Sequence, residues 1–596
     1  MPDALLTFSI GPVQGFIAEA RRPLDLYAGS RMLSELMCAA VKALQGKGAE
    51  LIYPYSLSVP SIPNKCVVTL PSADAPAVRT AAQVAEDAVR AQLRSYGNTA
   101  RQLLARVRQA PPDAVWDMIC QRQLDAHLEI FWAAAPFLDE YQQAYEQMDR
   151  ALAACKRSRT FIQVREDGRK DSLSGQRSAL HIQEMDANRY WEAVARSGVL
   201  TGAQLKPDGH ERLDALGAIK RFAFSRPVPS TSSVAATDFL QRAATHALKQ
   251  LQRYRQLLAG LSKHFYQVTG SEPWPYDGDL LFLETLQPGR LEASYSIKPG
   301  AMPDQQLEEA RAALRQLHEA AGGPPNPYYA VLQMDGDSIG KMVSKCQSRD
   351  EHRQLSNDFA SFAQCAEKII EKAQGVPIYC GGDDVLALLP LQAALATAEQ
   401  LAAAFSAQVH VPAALQKERP RAYASAGITV AHHLAPLDGI LGAVRAAEQQ
   451  AKRITDKNAV CVTVLKRSGE PVSARSHWLG TAPDASGRNA WELLCDALSG
   501  DSPLISPRFA HEYARLAPML PEKAQIQQLR RLLWRHGPAR PTAAQKQQIA
   551  RLEDALQLWV RQLNNTFDRE NGEVLGATEL SRWLLIAAFL TRGGGE

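Results

Sequence analysis

The sequence predicts an α+β fold organised around a ferredoxin-like palm, and three observations carry that prediction. Beyond residue 327, strand-like and helix-like runs alternate as β-α-α-β-β-α-β-α-β, the order a split βαβ sheet requires. Within it, "PIYCGGDDVLALLP" at 377–390 sets a Gly-Gly corner between two apolar runs, as a hairpin does. Upstream, the linker "GGPPNPYY" at 322–329 separates this alternation from a mostly helical stretch.

The elements follow in chain order. "ALLTFSI" reads as a buried strand, and "GPVQGF" leads into a helical run beginning at "IAEARRPLDLYAGS". Residues 51–70 alternate strand-like pieces with prolines, and the Ala-, Gln- and Arg-rich stretch 75–155 is expected to be one long helical region. The polar "CKRSRTFIQVREDGRKDSLSGQRS" reads as an exposed insertion, and 211–320 as mostly helical with breaks at "SRPVPSTSS" and "SEPWPYDGDL". After the palm, everything from about residue 475 is expected to be helical, with Trp478, Trp491, Trp534, Trp559 and Trp583 as packing anchors.

Composition narrows the function classes. A chain of 596 residues exceeds one ordinary core, so roughly two to four domains are expected. A formal net charge of +4 excludes nucleic-acid binding by bulk charge and leaves a local basic face open. The nine cysteines form no CxxC pair, which suits reduced thiols and a cytoplasmic location. The start lacks a basic segment followed by an apolar one, and no run of about 18 apolar residues occurs, so neither an export signal nor a membrane span is expected.

The Gly-Gly corner does not explain the two carboxylates beside it. Asp383 and Asp384 follow Gly381 and Gly382, and "MDGDSIGK" ends the preceding strand with Asp335 and Asp337. Four carboxylates on neighbouring strands repel one another, and a divalent cation removes that cost. Oxygen-only ligands favour Mg²⁺ or Mn²⁺ over zinc, the cations of phosphoryl and nucleotidyl transfer. The segment with Gly336, Ser338, Gly340 and Lys341 would bring helix-start N–H groups and an ammonium to a triphosphate, and Lys452 and Arg453 end the helix before the last strand. A lysine there also simply suits the helix dipole.

Together, "VLQMDGDSIG", "YCGGDDVLALLP", "ASAGITVAHHLAPL" and "AAEQQAK" resemble a cyclase palm of the GGDEF/polymerase type. "FSIGPVQGFIAEARRPLDLYAGSRMLSEL", "IPNK" at 62–65, "ERLDALGAIKRF" and "PVPSTSS" resemble the large subunit of type III CRISPR effector complexes, the type III-B form above all. The resemblance runs from residue 5 to about 470. It implies a first palm at 1–165, a linker domain at 166–320, a second palm with the GGDD block at 321–474 and a helical C-terminal domain at 475–596.

It further implies that Asp335, Asp383 and Asp384, with Asp337 beside them, hold metal and that Gly381 and Gly382 shape the corner. Ser9, Gly11, Pro12 and Gln14 would lie near a second nucleotide whose 3′ hydroxyl attacks; the first palm, having no GGDD, would bind rather than catalyse. The implied activity is conversion of ATP to cyclic oligoadenylate when target RNA pairs with the guide CRISPR RNA in a complex with other subunits. The same site is compatible with joining AMP to another acceptor such as S-adenosylmethionine, and a catalytically silent scaffold is the alternative of another class.

Two departures stand out. Relatives often begin with a nuclease domain bearing a His-Asp motif, whereas here the GPVQ block starts at residue 11 and no His-Asp dipeptide occurs; a form lacking that domain and its DNA cleavage is expected. In "KDSLSGQR", Asp171 and Ser174 stand where a zinc knuckle has cysteines, so zinc is not expected, and nearby His181 and Cys155 read as ordinary residues. His432 and His433, as strand neighbours, point to opposite faces and read as structural. "CKRSRTFIQVR" suits an RNA or subunit contact as well as a solvated face, "LRRLLWRHGPAR" suits such a contact as readily as packing, and "TRGGGE" reads as a frayed end.

Overall fold

The computed structural model describes residues 3–59, 61–137, 140–158, 166–202, 204–206, 209–224, 226–261, 265, 273–295, 297, 300, 302–478, 488–500 and 502–591. Two sheets organise them. The first contains β1 (Asp3–Gly11), β2 (Glu50–Tyr53), β3 (Lys65–Leu70) and β4 (Glu129–Phe137) in the order β2-β3-β1-β4, all neighbours antiparallel. The second contains β5 (Tyr328–Gly336), β6 (Val376–Gly381), β7 (Asp384–Pro390), β8 (Ala424–His432), β9 (Ala459–Leu465) and β10 (Val472–His477), ordered β10-β9-β8-β5-β7-β6. Its β8-β5-β7-β6 part repeats the first sheet's topology, so both palms are ferredoxin-like and the fold is α+β.

β8 lies between β5 and a parallel β9 and is buried at all nine positions, which explains its unbroken small and apolar run "ASAGITVAH". The sheet packs on helices Arg349–Lys372, Ala394–Gln408 and Leu437–Lys452.

Two sequence expectations fail here. The stretch 75–155 is not one helical region: helices Ala75–Leu104 and Ala114–His127 are followed by β4 and then by helix Tyr141–Arg157. The alanines of "EIFWAAAPF" favour a helix, but β1 offers a nine-residue edge and pairing along it overrides local propensity. Likewise, the segment after 470 continues as β10, which pairs with β9 and runs past residue 474 before the helices begin.

The helix Ala215–Phe222, from "ERLDALGAIKRF", ties the linker region to the first palm. Buried Lys220 Nζ donates to the carbonyls of Phe16 (2.5 Å) and Glu19 (2.7 Å), and buried Arg221 pairs with Asp25 and Glu211. In "KDSLSGQR", Asp171 accepts from Leu173 N (2.8 Å), Ser174 N (2.7 Å) and Ser174 Oγ (2.6 Å). A carboxylate thus closes this loop by hydrogen bonding.

The C-terminal helices pack around Trp583, whose ring lies 5.5 Å from those of Trp491 and Trp559. Two other expected anchors behave differently: Trp534 is 37% exposed and donates to Glu553, while half-buried Trp478 donates to Ala424 O (2.9 Å) at the start of β8. In "LRRLLWRHGPAR", Leu529, Leu532 and Leu533 enter the core, and Arg535 and His536 pair with Glu512. Among the described residues no helix is long and apolar enough to cross a membrane.

Candidate metal centre

The end of β5 and the β6–β7 hairpin meet at one corner of the second palm. Asp335 lies one step beyond the paired Met334 and Val385, beside Asp384, and Gly381 pairs with Asp384 across the turn. Gly382 has φ +65° and Asp383 does not share a positive φ, the type II′ pattern that needs glycine at its first central position. A Cβ on Gly336 would stand 2.9 Å from that of Asp383, so this glycine lets the strand end approach the hairpin. One oxygen each from Asp335, Asp383 and Asp384 can be chosen so that all three lie within 4.8 Å of one another.

Electrostatics at this corner strain toward a cation. Asp383 is half-buried and Asp384 exposed, yet the crowded corner pushes both carboxyls up, Asp383 to about 6 and Asp384 well above the usual range. Loss of hydration is the first cause for each; for Asp384, repulsion from Asp383 and then Glu448 follows. Lys452 reaches into the cluster, pairing with Asp335 and, at 2.6 Å, with Glu448. Burial depresses its ammonium to about 8, with Lys457 adding to the effect. A divalent ion on these carboxylates would compete with Lys452 for Asp335.

Asp337 does not join the cluster. Its buried carboxylate accepts from Ser425 Oγ (2.9 and 3.0 Å) and Asn458 N (2.9 Å), fixing the palm's interior instead. The reason is local: side chains two apart on an extended strand share a face, but β5 ends at Gly336, and Asp337 already lies in the turn before Ser338, itself left-handed at φ 65°. Lys341 also points elsewhere, pairing with exposed Glu418 at 2.9 Å, and Gly340 has open space around it.

The first palm supplies the opposite wall. Its Tyr53 hydroxyl would stand 3.1 Å from a Cβ on Gly382, and Ser61 Oγ accepts from Cys380 N (3.4 Å). Tyr53 and Tyr379 are both raised well above the ordinary phenol range, first by burial and then by the hairpin carboxylates. Buried Ser9 accepts from Lys156 Nζ (2.9 Å), Gly11 pairs with Glu129, and Gln14 O accepts from Arg445 of the second palm (2.9 Å). Lys156 belongs to the basic run 155–165, of which 159–165 lie outside the described residues, as do 592–596 of the terminal "TRGGGE".

His432 and His433 sit at the far end of β8, opposite Tyr328, whereas the cluster adjoins its first residue. They stack on each other, and His433 stacks on Phe282 and bonds Ser232 Oγ (2.8 Å). Sequence reasoning missed Tyr53, Tyr379 and Glu448. Glu448 had a signal, its i,i+4 spacing from Lys452; Tyr53 comes from another domain and had none.

Two family models match this chain: "Cas10/Cmr2, second palm domain" over residues 328–461, and "CRISPR-associated protein Cmr2, N-terminal" over residues 5–98. Over these two regions the chain is similar to the Cas10/Cmr2 family of type III-B large subunits. The family's second-palm region takes in Asp335, Asp383, Asp384 and Lys452, and its N-terminal region takes in Ser9, Gln14 and Tyr53. The CRISPR system Cmr subunit Cmr2 of Pyrococcus furiosus is 24% identical over 560 residues, covering 78% of this chain. The chain spans 62% of that relative's length. In fold it resembles a chain of the type III-B Cmr-beta complex in its apo state (TM-score 0.66, 13% identity, 100% of this chain and 82% of that one). The same complex bound to cognate target RNA gives TM-score 0.65 at 13% identity, covering 99% and 83%.

Proposed function

We propose that this chain is the nucleotidyl-transferring subunit of a type III-B CRISPR ribonucleoprotein, converting ATP to cyclic oligoadenylate when target RNA pairs with the guide RNA. Its partners in that reading are the other complex subunits, the guide RNA and the complementary target. The observation that carries it is the gathering of Asp335, Asp383 and Asp384 at one palm corner facing a second palm. Three crowded carboxylates, of which Asp383 and Asp384 have raised proton affinity, with no nitrogen or sulfur donor among them, fit Mg²⁺ or Mn²⁺. Such an ion, when bound, supplies charge neutralisation for the triphosphate and lowers the pKa of the attacking hydroxyl.

The chain's own residues do the rest. Lys452 is placed to exchange its carboxylate partners for phosphate oxygens, and Glu448 shares that ammonium. The first-palm wall around Ser9, Gly11 and Gln14 orients the acceptor nucleotide, and Tyr53 and Ser61 hold the hairpin from that side. These 596 residues contain no His-Asp dipeptide, so DNA cleavage of that type is not assigned to them, and target RNA cleavage is assigned to partner subunits.

The test is to assemble the complex with target RNA, ATP and Mg²⁺ or Mn²⁺, with and without S-adenosylmethionine, and to identify products by mass spectrometry. Cyclic oligoadenylate that disappears with Asp383→Ala plus Asp384→Ala supports the reading. An AMP adduct of the added acceptor moves the assignment to that acceptor, and product made equally by the double variant removes the metal-site assignment.

A further inference from the structure

The residue after Lys452 begins a turn whose backbone is unusual. Asp456, Lys457 and Asn458 have φ of 64°, 55° and 50°, three successive non-glycine residues in the left-handed region. Such a run persists only where its surroundings over-determine it. Here it is held from two sides.

On the palm side, Asn458 N donates to Asp337 Oδ2 (2.9 Å), Lys457 N donates to Ile454 O (3.0 Å) and Trp478 N donates to Asn458 O (3.3 Å). On the other side stands a hairpin of the C-terminal domain, in which Asp568 N donates to Glu573 O and Leu575 N to Thr566 O. Its backbone pairs with the turn: Thr455 N and Oγ1 both donate to Phe567 O (3.0 Å each), and Arg569 N donates to Arg453 O (2.8 Å). Asp568 itself is 1% exposed. It accepts from Arg453 Nε and Nη2 (3.3 Å each), from Arg475 Nη1 of β10 (2.5 Å) and from Glu570 N (2.9 Å).

We propose that Asp568 is a positioning residue through which the C-terminal domain fixes the Arg453–Asn458 turn and so holds Lys452 at the metal-site carboxylates. The chain of contacts is short. Asp568 grips Arg453, the neighbouring Lys452 lies on Asp335, and the turn's last residue bonds Asp337 at the end of the same strand. A force on the C-terminal hairpin is thereby transmitted to both ends of the catalytic strand's acidic segment, a route by which the state of that domain is read at the site. This inference rests on the nucleotidyl-transfer reading for its functional consequence but not for its structural content.

The test compares wild type, Asp568→Asn and Arg453→Gln in the full chain by hydrogen exchange and in the assembled complex by ATP kinetics. In both variants, protection of 453–458 is expected to fall about tenfold while helices 543–564 and 576–591 keep theirs. The KM for ATP is expected to rise about tenfold with a smaller change in kcat, a split that general unfolding would not produce. Should Asp568→Asn fail to fold, Arg453→Gln, at a half-buried partner, decides. Unchanged protection at 453–458, or equal loss throughout the C-terminal domain, overturns the proposal. If wild type makes no nucleotide product, the functional reading fails, and the exchange data alone decide whether Asp568 sets the turn.

Discussion

The two palms share a topology and a register, yet one gathers carboxylates and the other does not. Gly11 ends β1 opposite the first residue of β4, just as Gly336 ends β5 opposite the first residue of β8. With these glycines superposed, Ile10 takes the place of Asp335, Pro63 that of Asp383 and Asn64 that of Asp384. The first palm uses these positions for closure: Ile10 is buried, Ile10 N donates to Asn64 O (2.9 Å), and Asn64 Nδ2 donates to Ile10 O (3.0 Å). An identical corner therefore becomes either a packed joint or a charged site according to three side chains, and the packed joint forms the wall against which the charged one works.

The largest expected effect comes from making the second palm resemble the first. Asp383→Ala with Asp384→Ala removes several kcal/mol of charge stabilisation in the transition state, about a 10³-fold loss of product formation, with assembly intact. The reverse exchange sharpens the contrast. Ile10→Asp puts an unpaired carboxylate at a fully buried position and is expected to cost about 3 kcal/mol in chemical denaturation. Asn64→Asp, at a half-buried position, costs less. Gly382→Ala tests the hairpin alone: a positive φ costs a residue that carries a Cβ about 1–2 kcal/mol, and the new Cβ meets Tyr53 Oη, so stability and product formation are expected to fall together.

The smallest effect concerns the joint between the palms in acid. His352, from the second palm, lies among Tyr53, Tyr141 and Tyr145 of the first, with Tyr141 Oη and its Nδ1 2.7 Å apart. Burial, with help from Lys65, lowers its pKa to about 4. A histidine depressed in the folded state favours folding above its unfolded pKa of about 6.5 and loses that contribution as pH falls toward 4. Relative to wild type, His352→Phe is expected to lose less, or gain more, unfolding midpoint between pH 6.5 and 4. His432, His433 and His127, lowered by burial to about 4, 3 and 3, act in the same direction, whereas the raised carboxyls of Asp383 and Glu448 act against it.

Much of this was legible because local chemistry announced it. Gly381 and Gly382 between apolar runs can hardly be other than a hairpin, and the alternation after residue 327 led to the ferredoxin-like part of the second palm, though not to β10. The grouping of Asp335 with Asp383 and Asp384 followed from strand adjacency. What failed was long-range or sterically decided. β4 was hidden by its alanines because only the edge of β1 makes it a strand. Asp337 was drawn into the cluster by proximity in sequence, whereas Ser425 and Asn458 claim it. Tyr53 reaches the site, and Asp568 the turn after Lys452, from other parts of the chain, and no pattern within their own segments points there.

The account's central claim is that the three carboxylates of the second palm, absent from the equivalent corner of the first, hold a catalytic divalent ion. Its most direct test is Mn²⁺ binding to the full chain, followed by electron paramagnetic resonance, in wild type and in Asp383→Ala plus Asp384→Ala. The account predicts saturable binding, strengthened by a non-hydrolysable ATP analogue, that the double variant loses at least tenfold. Equal Mn²⁺ affinity in the two proteins would contradict it.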